Sequence, residues 1–344
     1  MSARAPISVV GAGNWGTTLA HLVAGNGNDV LLYTRSPEQR DEINQRRTNE
    51  RSTPGLRVAM GVRAVCDLEE AVTKADLVLI VIPSQAFREV SRALGSFLTP
   101  AQMIIHATKG LEAGTHRRMS QIVCEETAVR QTGVLAGPNI AAEVAQGRPA
   151  GTVITSAFPR VVAAGRAAIA SPQMMVFVGT DVVGVELCGA LKNVVAIAAG
   201  VADEMKVGEN AKAFLVTRGM AELMRLAFAM GAEPTTLAGL AGIGDLMVTC
   251  ASPLSRNHRI GVALARGEKL DDAVRRLGMV AEGVPASVSA VELARMHGID
   301  MPLFERVYRV LHRDLSPRDA LDELMKLPAG HDVPSIISAR VPRT

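Results

Sequence analysis

Residues 7–25 read ISVV, GAGNWG and TTLAHLVAG in succession: a short apolar run, a G-x-G-x-x-G triplet and a helical pattern. Few sequence features restrict a fold more. Gly11 permits a tight turn off a strand, Gly13 lets the backbone approach a pyrophosphate, and Gly16 lets the following helix pack against the strand. The helix N-terminus then offers N–H groups to phosphate. The pattern predicts the first β–α turn of a Rossmann-type dinucleotide-binding domain. A tight β–α turn without a ligand is the competing reading.

The first half of the chain extends this pattern. Apolar runs at 28–33, 62–65, 75–84, 103–107, 133–135, 152–155 and 175–178 read as further strands. The continuous run ADLVLIVIPS suits a parallel strand covered on both faces, and Pro83 ends it. Helical segments follow Asp67, a plausible cap, begin again at Phe87, and recur around 161–170. After the second strand an acidic side chain would take the 2′-hydroxyl of an adenosine ribose. The sequence there is Tyr33-Thr34-Arg35-Ser36, and Arg35 can pair with a 2′-phosphate. NADP(H) is therefore favoured, with NAD(H) also accepted; a solvated surface arginine is the alternative. Lys109 follows the strand at 103–107, on the edge that faces the ligand crevice in such sheets. An exposed loop lysine would occupy the same place.

The second half reads as all helix. Residues 184–205 form an apolar helical stretch with Lys192 in its middle and Asn193 beside it. A lysine there must snorkel outward, find a partner, or face a wet cleft. A surface lysine on a core helix is the simpler reading of this stretch by itself. Asn210 is placed to cap a helix over 211–230, and further helices are expected at 271–277, 286–297, 301–311 and 313–326. Between them, residues 237–250 combine closely spaced glycines with Asp245 and an apolar tail. Ser255-Arg256-Asn257-His258-Arg259 is a polar, basic cluster suited to a phosphate, or else a solvated turn. With 344 residues, two domains are the default. The boundaries read as 1–185 for the nucleotide-binding domain, 186–330 for the helical domain and 331–344 for a loose tail. The Lys192 helix would lie at their junction, a favoured place for an active site.

Composition narrows the function. Aromatics are only 3% of residues, so alanine, valine and leucine must fill the cores and helices must pack closely. A net charge of +3 gives no argument for nucleic acid. Cys66, Cys124, Cys188 and Cys250 lack CxxC spacing and read as reduced thiols with no zinc site; no metal is expected. MSARAP leads directly into ISVV without room for a signal peptide, and the apolar runs near 77–82 and 194–202 are too short to span a bilayer. A soluble cytoplasmic protein with a small-molecule substrate is expected.

Taken together, GAGNWGTTLA, ATKGLE at 107–112, LAGPNIAAEV at 135–144, GALKNVVAIAAG at 189–200, GENAKA at 208–213, LAGIGDLMVTC at 240–250, SRNHRIG at 255–261 and AEGV at 281–284 resemble the bacterial NAD(P)-dependent glycerol-3-phosphate dehydrogenase family. The resemblance spans nearly the whole chain. It implies an α/β Rossmann domain followed by an all-α domain like that of 6-phosphogluconate dehydrogenase, and usually a homodimer. It implies reversible hydride transfer between sn-glycerol 3-phosphate and dihydroxyacetone phosphate, supplying glycerol 3-phosphate for phospholipid synthesis. By the same resemblance Lys192 is the proton acceptor in oxidation. Lys109, Gly137, Asn139, Asp245, Thr249, Ser255, Arg256 and Asn257 would contact substrate. Gly11, Gly13, Asn14, Trp15, Gly16, Arg35, Ala141, Val280 and Glu282 would line the cofactor path, with Lys109 and Arg256 also touching cofactor. Two departures stand out. Asn139 replaces the serine of many bacterial members, and Asn49-Glu50-Arg51-Ser52-Thr53-Pro54-Gly55 lacks the aromatic that often precedes a Leu-Pro-Gly-like stretch.

The chemistry accounts for the residue types. Oxidising a secondary alcohol sends a hydride to nicotinamide and a proton to a base. A lysine serves near neutral pH if its pKa falls by roughly two to three units through desolvation and a neighbouring cation. Asp245 would raise that pKa, so its expected part is to orient the substrate hydroxyl and the lysine. Competing readings are a dehydrogenase of β-hydroxyacids or sugar acids, and a catalytically silent nucleotide sensor.

Overall fold

A computed structural model of the chain describes residues 5–253, 255–278 and 281–328. The chain divides into two compact units, Met1–Glu112 with Arg117–Val182, and Ala113–His116 with Val183–Thr344.

The first unit is built on eight strands, β1 (Ile7–Val10), β2 (Val30–Tyr33), β3 (Val62–Val65), β4 (Leu77–Ile80), β5 (Met103–His106), β6 (Thr132–Ala136), β7 (Ala150–Thr155) and β8 (Met174–Gly179). They form one sheet in the order β3-β2-β1-β4-β5-β6-β7-β8. Its helices are α1 (Asn14–Gly25), α2 (Pro37–Asp41), α3 (Leu68–Val72), α4 (Phe87–Gly95), α5 (Met119–Glu126), α6 (Ala141–Ala145) and α7 (Pro159–Ile169). Alternation along each strand divides the core between the two faces. Val9, Leu79 and Ile105 pack with Leu19 and Val23 of α1. Val10, Ile80 and Ile104 pack with Val72, Leu94 and Ile122 of α3, α4 and α5. This two-sided burial is why the central strands read as unbroken apolar runs. All neighbours are parallel except β6 and β7, which are antiparallel. The segment between those two holds only the short α6, whereas a parallel return needs a full crossover, usually a long helix. The order of the first six strands reverses between β1 and β4, and ligands of such sheets bind in the crevice there.

The described second unit is helical: α8 (Val182–Glu204), α9 (Glu209–Ala229), α10 (Asp245–Ala251), α11 (Arg256–Ala265), α12 (Leu270–Leu277), α13 (Gly283–His297), α14 (Pro302–His312) and α15 (Pro317–Met325). Helix α8 is buried around its whole circumference from Gly184 to Gly200. Among the described residues it is the one helix long and apolar enough to cross a membrane, and 89% of its most apolar window is buried inside the protein, as in a core helix. Small residues let its neighbours close in: a Cβ on Gly219 of α9 would lie 2.8 Å from the Val195 side chain.

Two local expectations are corrected. Asn210 lies within the first turn of α9, and the cap is Gly208 at φ +91, a conformation open to glycine. Residues 313–316 are not helical. Asp314 adopts φ +53, and the Ser316 hydroxyl accepts from the Asp319 N–H at 3.0 Å to start α15. The expected tail at 331–344 lies outside the described residues.

One cap crosses between helices. No side chain of its own caps α14. Instead Glu222 of α9, only 2% exposed, accepts from the Leu303 N–H at 2.9 Å and the Phe304 N–H at 3.2 Å. Burial pushes this carboxyl up to about 7, against the two backbone donors and Arg225. A carboxyl that holds its proton longer in the folded than in the unfolded chain stabilises below the unfolded pKa. That contribution is lost as pH rises through the folded value. Between pH 5 and pH 8 the stability of Glu222→Gln should therefore gain about 2–3 kcal/mol on the wild type, read from urea denaturation at both pH values. A pH-independent difference would mean that the backbone donors keep Glu222 ionised throughout.

Candidate active site

In the first unit the glycine loop is shaped by its own backbone. Gly11 sits at φ +114, and a Cβ there would lie 2.3 Å from the Val81 carbonyl oxygen. A Cβ on Gly16 would lie 1.9 Å from the Gly11 carbonyl oxygen. Gly13, by contrast, has no atom within 4 Å of its Cβ position and is exposed, so the space over it is open. Helix α1 has no side-chain cap, which leaves its first N–H groups for an anion. Asn14 is exposed and Trp15 half-buried beside them. These features fit a pyrophosphate-bearing dinucleotide. The loop is braced from a distance. The Ala12 carbonyl accepts from Asn49 Nδ2 at 3.1 Å and from Gln39 Nε2 at 2.8 Å, and Asn49 is completely buried. Neither brace was anticipated, because no local pattern marks an asparagine that acts 37 residues away.

Arg35, just past β2, is exposed, while Thr34 before it is buried and bonded to Gln39. At the end of β5 the Thr108 hydroxyl donates to the Ile82 carbonyl at 2.7 Å, tying two strand ends together. Lys109 follows, half-buried. Its loop is closed by the Leu111–Arg118 bridge and by Arg88 Nη2, which donates to Glu112 at 2.8 Å. After β6, Gly137 is buried at φ +144. Asn139 Nδ2 donates to the Thr152 hydroxyl at 2.9 Å, and that hydroxyl donates to the Ala136 carbonyl at 2.8 Å. The chain of donors fixes the amide and leaves Asn139 Oδ1 buried without a partner among the described residues. Such an acceptor is open to a donor from a ligand or from water. Ala141 opens α6, half-buried.

In the second unit the lysine of α8 has a partner. Lys192, 3% exposed, places Nζ 3.0 Å from Asp245 Oδ1 and donates to the Thr249 hydroxyl. Thr249 in turn donates to the Asp245 carbonyl at 2.5 Å. Burial penalises the ammonium, and the carboxylate beside it favours it. The clustered glycines of 237–250 now have a reason. They form a wide π turn, Leu240–Gly244, tight enough that a Cβ on Gly242 would lie 2.0 Å from the Leu237 carbonyl oxygen. This turn delivers Asp245 into the first turn of α10, where a carboxylate is electrostatically favoured. Next to Thr249, burial pushes the Cys250 thiol up to about 12 against Lys192 and Lys212, so it is a thiol and not a nucleophile.

The Ser255 hydroxyl caps α11 by accepting from the His258 N–H at 3.3 Å. Arg256 is exposed. Asn257 is buried, and its Oδ1 accepts from the Gly283 N–H at 2.9 Å, which leaves Nδ2 as a donor. A Cβ on Gly283 would lie 2.7 Å from the Asn193 carbonyl oxygen, so it is Gly283, bonded to Asn257, that packs against α8 at the residue after Lys192. Glu282, half-buried, precedes Gly283, and Val280 lies outside the described residues. Lys192, Asp245 and Thr249 are thus brought together within this unit, while the bond of Asn257 is to Gly283.

Comparison with known proteins identifies the family of the chain. The family model for the N-terminus of NAD-dependent glycerol-3-phosphate dehydrogenase matches residues 6–161, and that for its C-terminus matches residues 181–322. A glycerol-3-phosphate dehydrogenase [NAD(P)+] from an Exiguobacterium species is 43% identical over 96% of this chain and 98% of its own length. One from Geobacter sulfurreducens is 45% identical over 93% of this chain and 96% of its own. The crystal structure of glycerol-3-phosphate dehydrogenase from Coxiella burnetii superposes with a TM-score of 0.89 at 36% identity, covering 94% of this chain and 99% of that one.

Proposed function

The chain belongs to the NAD-dependent glycerol-3-phosphate dehydrogenase family, and from that premise we propose that Lys192 is its acid–base group and Arg256 its phosphate ligand. The reaction interconverts sn-glycerol 3-phosphate and dihydroxyacetone phosphate. The observation that carries the reading is the buried cluster that Lys192 of α8 makes with Asp245 and Thr249 of α10. A buried lysine paired this closely is costly as structure and useful as a proton carrier.

In oxidation Lys192 Nζ takes the proton of the substrate hydroxyl, and in reduction it returns a proton to the carbonyl oxygen. Asp245 and Thr249 hold Nζ in one place, so the lone pair is aimed rather than averaged over rotamers. When bound, the nicotinamide cofactor accepts or supplies the hydride. Gly11 and Gly13, with the first N–H groups of α1, would hold its pyrophosphate, Gly16 would keep that helix close to the turn, and Asn14, Trp15, Ala141 and Glu282 would line its path. Arg256 and the Asn257 amide grip the substrate phosphate, and Ser255 fixes the turn that carries them. The same reading takes Lys109, Gly137 and Asn139 as further substrate contacts. It places the enzyme in the cytoplasm as a homodimer that supplies glycerol 3-phosphate for phospholipid synthesis.

The test is the initial rate of dihydroxyacetone phosphate reduction with NADPH and NADH in parallel. Turnover with either supports the reading. Cofactor binding without turnover on this substrate overturns it. Arg35 is assigned to the 2′-phosphate, so NADPH should be the better cofactor. Arg35→Ala should lower the NADPH-to-NADH ratio of kcat/KM by about tenfold or more, the size of a charge-assisted contact. An unchanged ratio removes Arg35 from that role.

A further inference from the structure

A second polar cluster lies on α8 beyond the catalytic pair. Asp203 Oδ2 accepts from His258 Nε2 at 2.7 Å and from Lys212 Nζ at 2.7 Å, joining α8, α11 and α9 at one oxygen. Burial works to raise the Asp203 carboxyl, and the bonds from Lys212 and His258 outweigh it and hold it below its ordinary value. A carboxylate only accepts, so His258 Nε2 carries the proton of that bond.

His258 is anchored three times. Its side chain is held by Asp203, its N–H reaches the Ser255 hydroxyl at 3.3 Å, and its carbonyl oxygen would lie 2.0 Å from a Cβ on Gly200. One turn further along, a Cβ on Gly261 would lie 2.0 Å from the Ile197 carbonyl oxygen. Helices α8 and α11 therefore cross backbone to backbone. The glycines set how closely they approach, but small-residue contacts resist sliding only weakly. Arg266 Nη2 also donates to Glu204 at 2.8 Å at the far end of α11, and the Asp203–His258 bond is the directional contact at the near end, on the residue that follows Arg256 and Asn257.

We propose that Asp203 and His258 are positioning residues that fix the Ser255–Asn257 turn, and hence the phosphate grip of Arg256 and Asn257, against the helix that carries Lys192. Lys212 supports them by sharing the same carboxylate oxygen. This rests on the phosphate reading of Arg256. A long arginine side chain loses much of its binding energy when its base moves, because orientation has to be restored on each encounter. The loss should fall mainly on substrate affinity, with only a small part in kcat.

The test compares His258→Leu, which removes the bond, with His258→Gln, which keeps an N–H donor. His258→Leu should raise the KM for glycerol 3-phosphate about tenfold, leave kcat within about threefold, and leave the KM for NADPH unchanged. Inorganic phosphate should weaken as a competitive inhibitor in parallel. His258→Gln should recover most of the substrate KM. Asp203→Asn carries the same expectation and replaces His258→Leu should that variant fail to fold. An unchanged substrate KM, a matched fall of kcat with a rise of both KM values, or no recovery in His258→Gln overturns the proposal. Arg256→Ala is measured alongside. If it raises the substrate KM while the Asp203 and His258 variants do not, the positioning role fails alone. If it leaves KM unchanged, the phosphate grip itself is wrong.

Discussion

Lys192→Ala should lower kcat by about 10³-fold, the loss expected when a positioned acid–base group is removed, with a smaller change in the KM for cofactor. The same substitution should also cost stability. Asp245 is 3% exposed, and its ion partner at 3.0 Å is Lys192. Removing one member of a buried pair leaves the other charge uncompensated, at a cost of about 3–5 kcal/mol. The two effects separate in a double variant. Lys192→Met with Asp245→Leu removes both charges and should regain most of that stability while staying inactive. Denaturant titration and steady-state kinetics on the three proteins give the comparison. Near-normal turnover in Lys192→Ala would reject the lysine as proton carrier. A stable single variant would mean that Asp245 finds another donor or takes up a proton.

Arg256→Ala should raise the KM for glycerol 3-phosphate by about 10- to 100-fold, since charge-assisted hydrogen bonds contribute about 1.5–3 kcal/mol each way they are lost. Part of the effect should appear in kcat, because binding energy at the phosphate also holds the reacting carbon in place. Arg256→Lys should recover only part of the loss: an ammonium replaces the charge but not the planar fork. Arginine is exposed here and begins a capped helix, so neither variant should alter stability by more than a few tenths of a kcal/mol. A substrate KM that does not move would remove the phosphate role and shift attention to non-phosphorylated hydroxyacids.

Much of the first unit was readable residue by residue. The glycine triplet is a statement about backbone sterics, and Gly11 and Gly16 collide with neighbouring carbonyls as soon as a Cβ is added. The apolar strands announce two-sided burial, and all eight lie where those runs placed them. These signals sit in contiguous residues, so a linear reading finds them. The reversal of β7 did not announce itself, because strand direction depends on how the connection is routed and not on side-chain type. The cap of α9 was misplaced because asparagine is the common solution and glycine at positive φ the one used.

The helical unit divides differently. Its sequence determined that Lys192 sits on an apolar helix, that Asp245 follows a run of glycines, and that a serine-capped basic turn comes later. It also set how closely the helices approach, through glycines at 200, 261 and 283. It could not say which of three fates Lys192 meets. Asp245 lies 53 residues away, and the pair forms only because a π turn swings α10 onto α8. His258 stood out only as part of the basic cluster after Ser255, and nothing in the sequence tied it to Asp203 and Lys212 in separate helices. Periodicity and turn chemistry act over a few residues and are written locally. A buried ion pair depends on the crossing of packed helices, and that crossing is settled by the whole core at once.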